Sequence, residues 1–281
     1  MKNIYLAVFA ALSMLLTGAA SAGGHEAEKL LTDVKIPDRT IELPEGYVPT
    51  VLITGANRGI GFEFVKVYND RGYNVIATAR SPAQADELNA LAANNNNITV
   101  VQLDVTDFAR VDELAAELQG QPIDILINNA GISGNVREQM FGSMNYEEFR
   151  RVLEVNVIAP TKIAESFYQN VMDSQLKKLV VVSSSEGSIA GVSSPRTQFY
   201  RTSKAAVNMM YKNIAVQAKR KGIAVAMVNP GLTDTDFVAG LPKKMLRPAD
   251  VAAQDMARNI DNTYIENTAT FWNYDGRALP W

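Results

Sequence analysis

Short apolar runs recur along the chain, with amphipathic stretches between them. Val51 to Ile53, Asn74 to Ala79, Ile98 to Leu103, Ile123 to Ile127, Leu179 to Val182, Ile223 to Val228 and Thr268 to Trp272 read as strands. Helical periodicity covers Ile60 to Arg71, Ala83 to Ala93, Arg110 to Leu118, Tyr146 to Met172, Phe199 to Lys221 and Ala249 to Ile260. The asparagine run at 94–97 marks a turn, because asparagine tolerates left-handed dihedrals. Continuous apolar strands alternating with helices predict a parallel sheet covered on both faces. Right-handed crossovers make that a doubly wound α/β fold. No internal repeat and no second boundary interrupts residues 49–281, which read as one domain.

The first residues follow another pattern. Lys2 precedes an apolar stretch from Ile4 to Leu16, broken only by Ser13, and Ala20-Ser21-Ala22 forms a small-residue cleavage site. Residues 1–22 therefore read as a cleavable secretory signal. The stretch is short for a membrane span of about 20 residues. The expected location is exported and periplasmic, with a retained membrane anchor as the alternative. Residues 23–48 are polar, lack periodicity and carry Pro37, Pro44 and Gly46. They read as a tether or surface strap without chemistry.

Composition narrows the chemistry. The chain has 281 residues, a formal net charge of −3, 47% hydrophobic and 20% charged residues. This balance lacks the basic footprint of a nucleic-acid binder. There is no cysteine, which removes thiol nucleophiles, zinc ribbons, iron–sulfur clusters and disulfides. The single histidine, His25, lies in the polar N-terminal stretch. Acid–base work falls to Tyr, Lys, Asp or Glu.

Four clusters carry candidate chemistry. The first strand runs into Gly55-Ala56-Asn57-Arg58-Gly59-Ile60-Gly61, a glycine-rich turn opening a helix. Gly55 allows the tight exit, Gly59 lets the backbone approach a pyrophosphate, and Gly61 allows close helix packing. The helix N-terminus offers N–H donors to phosphate. At the end of the second strand, where a NAD binder carries an acidic residue, stand Arg80 and Ser81. With Arg58 they suit a 2′-phosphate, so NADP is expected over NAD. Asn128-Asn129-Ala130-Gly131 ends the fourth strand. Tyr200 and Lys204 stand at i and i+4 on a helix and share one face. A neighbouring ammonium is expected to lower the phenol's pKa and fit it for proton transfer to a carbonyl oxygen. The strand ending in Ser183-Ser184-Ser185 offers a hydroxyl to the same oxygen.

With these motifs in order, the chain resembles the short-chain dehydrogenase/reductase family from about Thr50 to Trp281. The matching pieces are TGANRGIG at 54–61, LDVTD at 103–107, NNAG at 128–131, Asn156 in EVNVIAP, SSSEG at 183–187, YRTSK at 200–204 and NPGLTDTD at 229–236. The ending FWNYDGRALPW at 271–281 is similar to the C-factor or sniffer-type carbonyl-reductase branch. The resemblance implies a Rossmann fold with a seven-stranded parallel sheet of order 3-2-1-4-5-6-7. It implies Tyr200 as general acid–base, and Lys204 as the group that lowers its pKa and binds the nicotinamide ribose. Ser184 would orient the substrate carbonyl, and Asn156 would hold a water in a proton relay to Lys204. Asp104 and Val105 would flank the adenine, and Asn128, Ala130 and Gly131 would line the cofactor ribose. Pro230, Gly231 and Thr235 would cover the nicotinamide. Substrate would meet Ile132 to Met144 and Phe237 to Arg247, which contain Met140, Phe141, Phe237, Leu241 and Met245. The expected activity is hydride transfer between NADP(H) and a small carbonyl or alcohol. The alternative is a nucleotide-binding signalling or sensor protein of C-factor type. A homo-oligomer joined through the two long helices is a further expectation of the resemblance.

Overall fold

The structure is a computed structural model and describes residues 27–238 and 242–281. The expected export signal at 1–22, His25 and Leu241 lie outside the described residues. Seven strands form one sheet: β1 (Thr50–Ile53), β2 (Asn74–Ala79), β3 (Ile98–Gln102), β4 (Ile125–Asn128), β5 (Lys178–Val182), β6 (Ala224–Asn229) and β7 (Thr270–Asn273). Their order is β3-β2-β1-β4-β5-β6-β7, and every neighbouring pair is parallel. This is the order implied by the family resemblance.

Successive strand residues point to opposite faces, and both faces are apolar. Leu52, Leu126, Leu179 and Met227 face α3 (Phe108–Glu117), α5 (Ala159–Ser166) and α7 (Gln198–Ala218). Val51, Ile53, Ile127, Val180 and Val228 face α1 (Gly59–Asp70), α2 (Asp86–Ala93) and α8 (Ala249–Asp261). Two buried cores thus sandwich the sheet. No helix of the described residues is long and apolar enough to cross a membrane.

The helical stretch expected at 146–172 is divided. It comprises α4 (Tyr146–Leu153), a π turn over Glu154–Ile158, α5, and α6 (Tyr168–Met172). The side chain of Asn156 bonds the main chain of Ile132 in a distant loop, and the π turn lies at that tie. Residue 27 to residue 48 forms a strap. Ala27 is buried in the first core, and Thr32 pairs with Ala278 through hydrogen bonds of 3.0 and 2.7 Å. Ala278 in turn bridges Trp272, so the outer edge of β7 is covered.

Candidate active site

The exit of β1 is shaped by glycine. Gly55 and Gly59 have φ of +64° and +54°, left-handed values that favour residues without a Cβ. A Cβ on Gly61 would stand 2.2 Å from the Gly55 carbonyl oxygen and 2.6 Å from Asn129 Nδ2. The helix α1 therefore lies directly on the loop. Asn129 fastens it, donating to the carbonyls of Thr54 at 2.9 Å and Gly55 at 3.1 Å. Thr54 Oγ1 accepts from the main chain of Asn129 and Ala130. No side chain caps the N-terminus of α1. Its first-turn N–H groups, at Gly59, Ile60 and Gly61 beside Asn57, suit an anion. This cradle fits the pyrophosphate of a dinucleotide.

The groups expected around the rest of a dinucleotide follow the carboxyl ends of β2, β3, β4 and β6. Arg80 and Ser81 are exposed just beyond β2. Arg58 is exposed and ion-paired with Asp236 at 2.9 Å. Thr235 packs over the loop, its methyl 3.2 Å from where a Gly59 Cβ would be. Asp104 takes two bonds from Thr106 and shapes the turn that presents Val105. Pro230 and Gly231 follow β6, and Gly231, at φ +73°, leaves no room for a side chain beside Arg247 and Tyr274. Asn128 differs from expectation. Its amide is buried and donates to Tyr211 Oη at 2.8 Å inside the core.

The reacting groups converge from three elements. Ser184 follows β5 and caps the 3₁₀ turn Ser185–Gly187, accepting from the Glu186 N–H at 3.2 Å. Tyr200 stands in the first turn of α7, and the Ser184 side chain lies close enough to its hydroxyl to oppose the rise of the phenol's pKa. The neighbouring serines do other work: Ser183 Oγ donates to buried Asn208 at 2.6 Å, and the Ser185 N–H donates to Asn229. Lys204 lies one turn along α7, its Nζ 5.7 Å from the Tyr200 ring centroid and donating to the Val182 carbonyl at 2.8 Å. Asn156 and Lys204 approach Gly131 from two sides, 3.3 and 3.6 Å from its Cβ position. Both amide hydrogens of Asn156 are committed, to the Ile132 carbonyl at 2.8 Å and Ser203 Oγ at 2.9 Å. Only a second lone pair on Oδ1 remains for any water.

The expected acidity of Tyr200 is reversed. Burial pushes its phenol well above the ordinary tyrosine range, the Glu186 carboxylate pushes the same way, and only the Ser184 side chain opposes them. Lys204 is buried as well, and burial drives its ammonium down to about 8. The two groups both move toward their neutral forms.

Several contributors escaped the sequence reading. Gln139 is fully buried and its Oε1 accepts the first N–H groups of α7, from Phe199 at 3.0 Å and Tyr200 at 3.3 Å. Glu186 binds Arg201 and Arg196. Asn129 ties the glycine loop. Each acts across a long sequence separation, so no local pattern announces it. Phe237, expected in the lining, packs against Tyr200 with centroids 5.3 Å apart.

Comparison with known proteins adds to this geometry. Residues 49–246 match the family model described as short chain dehydrogenase. The C-signal of Myxococcus xanthus is 31% identical over 57% of this chain and 93% of its own length. The NADPH-bound carbonyl reductase from chicken fatty liver superposes with a TM-score of 0.79 at 28% identity, over 87% of this chain and all of the other. The carbonyl reductase Sniffer of D. melanogaster gives 0.77 at 26%, over 84% and all.

Proposed function

The chain belongs to the short chain dehydrogenase family, and we propose that it works there as an NADP(H)-dependent carbonyl reductase on small carbonyl or alcohol compounds. One observation carries the reading: Ser184, Tyr200 and Lys204 come together at the carboxyl ends of the strands, with the Ser184 side chain acting on the Tyr200 phenol and Lys204 Nζ 5.7 Å from its ring centroid. NADPH, when bound, supplies a hydride to the carbonyl carbon. Gly55, Asn57, Gly59, Ile60 and Gly61 would hold its pyrophosphate, with Arg58, Arg80 and Ser81 at the 2′-phosphate. Asp104 and Val105 would flank the adenine, and Ala130, Gly131, Pro230, Gly231 and Thr235 the nicotinamide riboside. The likeness to an NADPH-bound carbonyl reductase supports this cofactor choice.

The chain's own residues account for the proton. A phenol raised by burial keeps its proton at neutral pH, which suits a general acid. Ser184 Oγ donates to the substrate oxygen and holds it beside Tyr200 Oη. Tyr200 then gives its proton to that oxygen as negative charge develops there. Lys204, titrating near 8, faces the ring and stabilises the phenolate left behind. Phe237 against Tyr200 favours an apolar substituent on the substrate.

The test is NADPH consumption against aldehydes, ketones and quinones, with NADH as the comparison. Turnover is expected with NADPH, and Tyr200→Phe is expected to abolish it while nucleotide still binds. The likeness to the C-signal favours a second reading, a nucleotide-binding signal protein. That reading takes over if no carbonyl is reduced and the biological effect of the chain survives Tyr200→Phe.

A further inference from the structure

The SSSEG and YRTSK segments contain two charged residues that the proposed chemistry leaves without a role, Glu186 and Arg201. Glu186 lies in the turn that Ser184 caps, and its own N–H holds Ser184 Oγ at 3.2 Å. Arg201 is adjacent to Tyr200 on α7. Its Nε donates to Glu186 Oε2, and its second arm donates to the Ser194 carbonyl. Arg196 donates to the other Glu186 oxygen at 2.8 Å. The Arg201 and Glu186 side chains are only 9% and 19% exposed, so solvent screens this pair far less than a surface pair. The turn also lies flat on α7: a Cβ on Gly187 would stand 2.8 Å from the Lys204 carbonyl carbon.

We propose that Glu186 and Arg201 are positioning residues, whose ion pair locks the turn carrying Ser184 onto the helix carrying Tyr200 and so sets the separation of the two reacting hydroxyls. The pair joins the two segments beside the reacting hydroxyls. Ser183 to Asn208 lies two turns further along α7. The pair also sets the local charge. Glu186 is the carboxylate that acts on the Tyr200 phenol, Arg201 and Arg196 balance it, and Lys204 faces the ring from the same helix. Asp236, next to Phe237, is engaged by Arg58. Loosening the clamp misplaces Ser184 against Tyr200, and an error of about 1 Å in such a pair lowers turnover on the order of 100-fold.

The inference deepens the reductase reading and rests on it for its kinetics. Glu186→Gln, Arg201→Gln and the double variant are compared with the wild type. Each single variant is expected to lose roughly 10- to 100-fold in kcat, with NADPH affinity near wild type and a lowered thermal midpoint. The double variant is expected to be no worse than the poorer single, because both remove one contact. In the pH profile, the tyrosine limb moves to lower pH in Glu186→Gln, which removes a negative neighbour. It moves to higher pH in Arg201→Gln, which leaves that neighbour unbalanced. A mere packing role would not move the two limbs in opposite directions. Unchanged kcat, additive losses or limbs shifting together overturn the proposal. Where Arg201→Gln unfolds, Arg196→Gln removes only the outer partner and is expected to give the same limb shift with a smaller loss. Crystal structures of the single variants supply a readout without turnover. A changed separation of Ser184 Oγ and Tyr200 Oη there sustains the clamp even when the wild type reduces no carbonyl, and an unchanged separation overturns the clamp even when the wild type is active.

Discussion

Lys204 Nζ sits over the Tyr200 ring and donates to the Val182 carbonyl, a buried cation with no carboxylate partner among the described residues. Burial lowers its pKa from 10.5 to about 8. Unfolding restores the ordinary value, so between these two pH values the unfolded chain binds more protons than the folded one. Stability from this residue therefore rises with pH across that window, while below it the full penalty of burying the ammonium applies. Denaturant midpoints of wild type and Lys204→Met should diverge in favour of the wild type by up to about 3 kcal/mol between the two ends. A constant gap would show that Lys204 is not desolvated as its surroundings indicate.

Gly61→Ala tests the cradle. The added methyl meets a carbonyl oxygen at 2.2 Å and the amide that fastens the loop at 2.6 Å. Overpacking of this kind costs about 1–3 kcal/mol or more. The thermal midpoint should fall by several degrees, and NADPH binding, followed by fluorescence, should be lost. Gly72→Ala is the control, since its φ of +78° is left-handed but nothing lies within 4 Å of the new methyl. It should cost roughly 1 kcal/mol and leave nucleotide binding intact.

Cofactor choice is expected to divide between two arginines in different states. Arg80 makes no ion pair with the described residues and is exposed where the 2′-phosphate would come, whereas Arg58 is shared with Asp236. Arg80→Ala should weaken NADPH on the order of 10- to 100-fold, the scale of a charge-assisted bond, and leave NADH nearly unchanged. Asp236→Asn releases Arg58 and should tighten NADPH by about two- to fivefold, the scale of an exposed pair. Equal effects on both dinucleotides would remove these residues from 2′-phosphate recognition.

The parts legible in the sequence share a physical cause. The central strands are visible because strands buried on both faces must be apolar throughout, as in Leu179-Val180-Val181-Val182, while the edge strand β3 shows through its β-branched Ile98, Thr99, Val100 and Val101. The glycine turn is visible because backbone at positive φ restricts residue type at Gly55 and Gly59. The π turn at Asn156, the Gln139 cap on α7 and the Glu186–Arg201 clamp are not visible, because each is a bond between residues 15 to 60 positions apart, beyond the reach of a helical or strand period. The Tyr200–Lys204 spacing was legible, but the direction of the phenol's shift depends on burial, which spacing does not encode.

The foot of the sheet hangs on Asp124, which no motif marked. The residue is fully buried just before β4. Its carboxylate accepts from Tyr47 Oη and the Thr50 N–H at 2.8 Å each, and from the N–H groups of Gln175 at 3.0 Å and Leu176 at 3.1 Å. One side chain thus joins the strap, the start of β1 and the entry to β5. Burial and the adjacent carboxylate push Tyr47 up to about 12 in return. Asp124→Ala leaves three main-chain donors without an acceptor, a loss on the order of 3–5 kcal/mol given about 1–3 for each buried orphan and incomplete additivity. Tyr47→Phe removes one bond and should cost about 1 kcal/mol. Both changes lie at the end of the strands opposite Ser184 and Tyr200, so kcat of the Tyr47→Phe enzyme should match the wild type. A strap that merely lies on the surface would leave the denaturant midpoint of Tyr47→Phe at the wild-type value.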